Sequence, residues 1–235
     1  MTQNFTKLLA VGSIAFLFSP IAFLRGADMQ GRIHAATQIL EQKQHSDEPI
    51  PAEVRAHAKG IAIFTLTKGG LGIGGQGGEG IVMLRLGDMN WHSWTAPSAF
   101  NLGGASLGAQ IGFTEVRYIV ILNTDNAVRR FTSQGKMNWD ATATGTAGSD
   151  TGTEKVSTTE IERREIVVYK DSGGIFGGAT FGGTSVERKD EINRQAYGDD
   201  VQMKNILDGK VPASKSADHL YSLLDDKSGK QPSGQ

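Results

Sequence analysis

Cysteine is absent from the 235 residues. That excludes disulfides, zinc–thiolate sites, thiol nucleophiles and anchoring through an acylated cysteine. It is compatible with an oxidising compartment without requiring one. Proline is scarce, at 6 residues, and neither sign of charge is in excess: 24 basic residues stand against 25 acidic ones, for a net charge of −1. A general nucleic-acid binder neutralises phosphates with a basic surplus. No surplus exists here, so nucleic acid is set aside, and any anion binding has to come from a local patch. The five histidines, His34, His45, His57, His92 and His219, are scattered, and none forms a ligand pair such as HExxH. Carboxylates are plentiful, but no spacing pairs two of them as acid and base. No metal or cofactor is therefore expected, and no catalytic centre.

What the chain has in abundance is glycine, 31 residues where a usual share is about 7%. The glycines sit among Leu, Ile, Val and Phe, so they belong to folded structure rather than to a flexible linker. Three segments alternate glycine or a small residue with a larger apolar one: Gly69–Gly75, Gly103–Gly108 and Gly173–Gly183. On a strand, alternation leaves one sheet face nearly bare. Such a face either packs tightly against another element, bends to close a barrel, or lies open as a groove for a lipid chain. The length fits one domain to a domain and a half, enough for a core without staples.

Residues 1–27 read as a signal peptide or N-terminal membrane anchor. Lys7 precedes the uncharged run Leu8–Leu24, and Arg25 closes it. Residues 28–225 are expected to form the domain, and 226–235 a disordered tail. Asp28–His45 has Met29, Ile33, Ala36 and Leu40 at helical spacing, with Asp28 placed to cap it. A second short helix follows at Ala52–Lys59. Strands are expected at Gly60–Leu66, Gly80–Leu86, Trp91–Ala96, Ala105–Phe113, Val116–Leu122, Trp139–Thr144, Glu160–Lys170 and Ile175–Arg188, with a short helix at Asp125–Ser133. Thr142–Thr159 is the expected mobile loop. Residues 190–225 return to helix, with Asp199 or Asp200 capping a turn that ends at Gly209.

Two motifs suggest chemistry. Gly70–Gly75 matches GxGxxG, with Asp88 downstream, but a dinucleotide site needs a helix opening at the third glycine. Only a few residues separate Gly75 from the next strand at Gly80. Gly104–Gly108 matches GxSxG around Ser106, but a nucleophile elbow needs strand, turn and helix, and strand alternation continues after Ser106. Neither motif carries an enzyme. The basic doublets Arg129-Arg130, Arg163-Arg164 and Arg188-Lys189 are either ordinary solvated charge or a patch for anionic headgroups, to which each cation contributes about 1 kcal/mol. Arg129 and Arg130 lead, because a short helix lets both reach outward; Arg188, Lys189, Arg32 and Lys68 complete the candidate lipid contacts.

The order of the pieces resembles the SYLF family of lipid-binding domains. The matching residues include Ile50-Pro51, Ala58–Ile63, Gly78–Val82, Trp94–Ser98, Gly104–Gly112, Ile119–Leu122, Tyr169–Gly178, Asn193, Tyr197-Gly198 and Ile206–Gly209. They span roughly residues 30–225. The resemblance implies a membrane-associated domain that binds phospholipid, phosphoinositide in eukaryotic members, with actin binding in some. It implies an exported, periplasmic or secreted protein of the bacterial type. This chain departs from the family pattern at Gly145–Asp150, where a Gly-Pro-x-Gly-Arg stretch is common, and its N-terminal helix offers only Arg32 and Lys43 as basic contacts. The expected fold is α+β: a Gly-rich antiparallel sheet curled towards a barrel, flanked by N-terminal and C-terminal helices. The expected function is non-catalytic binding of membrane phospholipid. The alternative is an envelope scaffold that binds another protein.

Overall fold

A computed structural model describes residues 28–87, 94–133, 137–138, 158–170, 175–176 and 184–225. The 1–27 segment, the strand expected at Trp139–Thr144, most of the loop expected at Thr142–Thr159 and the 226–235 tail lie outside the described residues.

The N-terminal helix α1 spans Met29–Gln44, and its first turn is closed where the sequence predicts: the Gly31 N–H donates to Asp28 Oδ1 at 2.8 Å. Met29, Ile33, Ala36 and Leu40 are buried as the spacing requires, and so are Arg32, Thr37 and Lys43. Helix α2 spans Ala52–His57.

Two strands dominate the sheet. β1 runs Gly60–Leu84 and β2 runs Ser98–Leu122, 25 residues each, paired antiparallel from Gly60 opposite Leu122 to Val82 opposite Ser98. The sequence suggests breaks at the glycines. None occurs, because the ladder is built from backbone N–H and C=O groups that glycine supplies as well as any residue. The glycines instead set the shape. Leu71 lies opposite Ile111 but Ile73 opposite Leu107, an irregularity at Gly72 in the middle of the ribbon. Irregularities of this kind bend a strand. The ends of β1 come back together: the Arg85 N–H donates to the Lys59 carbonyl at 2.9 Å. Where they meet, a Cβ on Gly78 would overlap the Thr65 carbonyl, and one on Gly80 would overlap the Ile63 carbonyl and Phe64. Close backbone packing, not an open groove, is what these two glycines permit. Gly75 and Gly103 have nothing within 4 Å of that position.

After β2 come α3 (Asp125–Thr132), β3 (Met137–Asn138), α4 (Thr158–Arg163), β4 (Ile166–Lys170), β5 (Ile175–Phe176) and β6 (Thr184–Arg188). β1 pairs along one edge of β2. On its other edge, β6 pairs with Phe100–Gly104 and β4 with Tyr118–Leu122; β3 extends β6, and β5 extends β4. The six strands form one antiparallel sheet that is not closed. Glu160–Lys170 is not one strand: helix α4 takes the charged half, and the β-branched Ile166, Val167 and Val168 carry β4. Trp91–Ala96 shows no strand among its described residues, only a bridge from Trp94 to Arg85. Trp94 is buried beneath the Arg85 guanidinium, 4.4 Å from its ring. The last helices are α5 (Asp190–Tyr197), α6 (Met203–Leu207) and α7 (Asp218–Asp225). Gln202, rather than Asp199 or Asp200, occupies the N-cap of α6.

Residue alternation gives the sheet two apolar faces, and helices cover both. Ile61, Ile63, Ile81, Ile121 and Val167 pack with α1 and α7. Phe64, Val82, Phe100, Val120 and Val168 pack with α3 and α6. On the second face the Phe100 ring meets Phe64 and Phe131 edge-on, with centroids 5.7 and 5.2 Å away. Asn193 of α5 is fully buried: its Oδ1 accepts from the Ala99 N–H at 2.8 Å, and its amide donates to Ser98 Oγ at 3.1 Å. Among the described residues no helix is long and apolar enough to cross a membrane.

Candidate functional site

The six basic residues singled out from the sequence fall in separate places. Arg32 is inside the protein, 2% exposed. Its guanidinium donates to the carbonyls of Phe100 (2.6 Å) and Gly80 (3.3 Å), to Asn101 Oδ1 (2.8 Å) and to Glu79 Oε2 (3.1 Å). Burial lowers its pKa, and the Glu79 carboxylate opposes that shift. Expected as a headgroup contact, Arg32 instead ties α1 to both long strands and presents no exposed donor. The helix spacing that buries Ile33 and Ala36 also turns Arg32 inward.

Arg129 and Arg130 occupy the last turn of α3. Arg129 is exposed. Arg130 pairs with Glu165 at 3.5 Å, and Asp125 of the same helix pairs with Lys59 at 2.9 Å. Arg188 sits on β6 opposite Phe100, near the Arg32 network, and Lys189 lies 3.9 Å from Glu187. Lys68, on β1, is half-buried. Burial and the charge of Lys170 both push its pKa down, so these two lysines are close enough to repel each other.

Lys170 also lines a cleft of 560 Å³ between the C-terminal turn of α1 and strands β2 and β4. Its cations are Lys43, Arg117 and Lys170; Asp47 and Glu48 stand on the exposed loop after α1. Ile39, Ile119 and Tyr169 give it apolar surface. The Lys43 ammonium is drawn to two local features. It lies 5.7 Å from the centroid of the Tyr169 ring, and it sits in the last turn of α1, where helix carbonyls favour a cation. Lys43 is nonetheless 8% exposed. Burial lowers its pKa, and Glu48 opposes that shift. The Tyr169 hydroxyl is buried with no hydrogen-bond partner among the described residues, and burial drives its pKa well above the ordinary phenol value.

This site was not visible in the sequence. The sequence offers Lys43 only as a basic residue of the first helix and Tyr169 and Lys170 only as part of the family-like segment Tyr169–Gly178, and it gives Arg117 no role. They meet because α1 is laid across the sheet, a contact between residues far apart in the chain: the Arg117 guanidinium donates to Gln42 Oε1 of α1. The two chemistry-like motifs form neither of the structures their chemistry requires. Gly70–Gly75 lies wholly within β1, and Ser106 lies within β2 opposite Gly74.

Comparison with known proteins points the same way as the resemblance. Residues 103–227 match the family model Ysc84, described as "Las17-binding protein actin regulator". The chain is 33% identical over 186 residues to Protein YSC84 of Saccharomyces cerevisiae, covering 77% of this chain and 39% of that protein. It is 31% identical over 184 residues to LAS seventeen-binding protein 3 of the same yeast, again covering 77% and 39%. It is 33% identical over 186 residues to SH3 domain-containing YSC84-like protein 1 of Homo sapiens, covering 79% of this chain and 54% of that protein. The chain thus spans about half or less of the length of these relatives. No solved structure matches. With the family model matching more than half of the chain, and these relatives aligned across most of the domain, this chain belongs to the Ysc84 (SYLF) family.

Proposed function

We propose that this domain binds anionic phospholipid at a membrane surface and performs no chemistry of its own. One observation carries the reading: Lys68 and Lys170 are near enough for mutual repulsion, and Lys170 borders a cleft that Lys43 and Arg117 also line, with Asp47 and Glu48 on its exposed loop. Clustered like charges destabilise a fold, so their collection on one surface favours an anionic partner. Near an anionic bilayer each such cation contributes about 1 kcal/mol, screened within a Debye length of about 8 Å at physiological salt. Pelleting with vesicles tests this. Vesicles containing phosphatidylglycerol or phosphatidylserine should carry the protein down, neutral phosphatidylcholine vesicles should not, and raised salt should release it. Equal pelleting with both, or none with either, contradicts the reading.

A second reading, recognition of another protein, is favoured by the relatives' names. LAS seventeen-binding protein 3 is named for a protein partner, as is the family description. This chain corresponds to 39% of that relative. Pelleting only in the presence of a cell extract would support this second reading over the first.

A further inference from the structure

We propose that Asp208-Gly209, at the C-terminal end of α6, is a site of spontaneous isoaspartate formation that Lys204 and Lys210 hold in check. This modification goes beyond the anionic-surface reading and does not depend on it.

The helix end itself brings the labile pair together. α6 closes in a Schellman arrangement: the Gly209 N–H donates to the Ile206 carbonyl at 3.0 Å, and the Lys210 N–H donates to the Asn205 carbonyl at 3.0 Å. That turn sets residue 209 at φ +73°, which glycine adopts without a Cβ penalty. A Cβ there would also stand 2.7 Å from Leu86 Cδ2. The residue after Asp208 is therefore glycine for two structural reasons. Glycine is also the least hindered neighbour for ring closure, because no side chain shields its nitrogen. Asp208-Gly209 is the one Asp-Gly step in the sequence, which has no Asn-Gly step.

The chemistry needs nothing but water. The Gly209 backbone nitrogen attacks the carboxyl carbon of the Asp208 side chain. A C–N bond forms, the C–O bond to the carboxyl hydroxyl breaks, and that hydroxyl leaves with the amide proton as one water. Water then reopens the five-membered succinimide. Opening at the side-chain carbonyl restores Asp208. Opening at the main-chain carbonyl leaves isoaspartate, with the backbone routed through the side chain and longer by one methylene.

Three features slow this reaction. The neutral acid is the form attacked, because a carboxylate carries no hydroxyl to lose. Lys204 Nζ lies 2.7 Å and Lys210 Nζ 3.2 Å from Asp208 Oδ2, and hydrogen bonds from these two lysines hold the carboxyl below the usual carboxylate range. The same contacts tether the carboxyl. Finally, the Gly209 N–H is engaged by Ile206, and at the Asp208 ψ of 0° the nitrogen is rotated away from the side chain, so the turn has to open before the ring can close. The lysines are the removable part, since their side chains are 71% and 64% exposed. The rest of α6 is anchored: Met203, Ile206 and Leu207 are buried. An added methylene at its end would shift Gly209 off Leu86 and loosen the helix from the sheet.

The test ages the intact protein at body temperature over a series of pH values and reads isoaspartate at position 208 by peptide mapping with electron-transfer fragmentation. Slow accumulation is expected in the wild type, faster in acid, where the carboxyl is protonated. Lys204→Gln with Lys210→Gln should rearrange about threefold faster, the scale of losing exposed ion pairs. Its acceleration should also begin at a higher pH, because its carboxyl returns towards the ordinary value. Asp208→Glu, which cannot close a five-membered ring, should form none. An unchanged melting temperature in the double variant ties the faster rate to the lost charges. If that variant is instead destabilised, raised salt on the wild type decides: it screens both lysines and should speed the reaction. No isoaspartate at 208 in the double variant overturns the proposal. So does a wild-type rate that equals the variant's and is indifferent to salt.

Discussion

Removing the Arg32 guanidinium would leave the Gly80 and Phe100 carbonyls without their donor inside the core, and Glu79 without its cation. Unmatched buried polar groups and a broken partly buried ion pair together should cost Arg32→Met about 3 kcal/mol. A lowered urea midpoint with an unchanged slope is the expected result. The folded variant should pellet with anionic vesicles as the wild type does; unchanged stability with lost pelleting would return Arg32 to the membrane contact. Basic character places Arg32 among the candidate contacts, behind Arg129 and Arg130. The helix phase of Ile33 and Ala36 was the signal that separated them, because Arg32 shares their buried stripe. For Tyr169 no comparable signal existed. Its alternation within β4 places it on a buried face, but which α1 residue lies over its ring, Lys43, depends on how α1 packs on that face.

At the scale of elements, the fold-back of β1 is what Gly78 and Gly80 permit. Gly80→Ala should overpack the contact with Ile63 and Phe64 and cost about 3 kcal/mol, with a matching fall in melting temperature. Gly103→Ala, with nothing within 4 Å, should be neutral or stabilising by up to about 1 kcal/mol. Equal effects at the two positions would contradict the fold-back. The sequence carried enough to locate α1 and its Asp28 cap, the core of β4 and the helical return after residue 190, since each has a clear period or cap. It could not show that β1 and β2 run unbroken for 25 residues each, because glycine reads as punctuation in one dimension and as close approach in three. Nor could it show α4, whose run of charged residues alternates well enough with Ile161 and Ile166 to pass for a strand.

For the whole molecule, the two cation groups are set differently. On α3, Arg130 is already paired with Glu165, and Asp125 stands in the first turn, leaving Arg129 exposed. Exposed pairs of this kind are worth about 1 kcal/mol or less, but they halve the patch's net charge. Beside the cleft, Lys68 and Lys170 repel each other, whereas Lys43 and Arg117 share the cleft with the exposed carboxylates of Asp47 and Glu48. The composition gave no hint of this asymmetry, because a net charge of −1 is a sum over the chain and says nothing about where the folded surface collects one sign. The most direct measurement is the affinity of two double variants for phosphatidylglycerol vesicles at physiological salt. Lys68→Gln with Lys170→Gln should lose about thirtyfold, equivalent to about 2 kcal/mol for two cations at the surface, while Arg129→Gln with Arg130→Gln should lose only a fewfold. The reverse order, with the α3 pair carrying the larger loss, would contradict a membrane contact centred on Lys68 and Lys170.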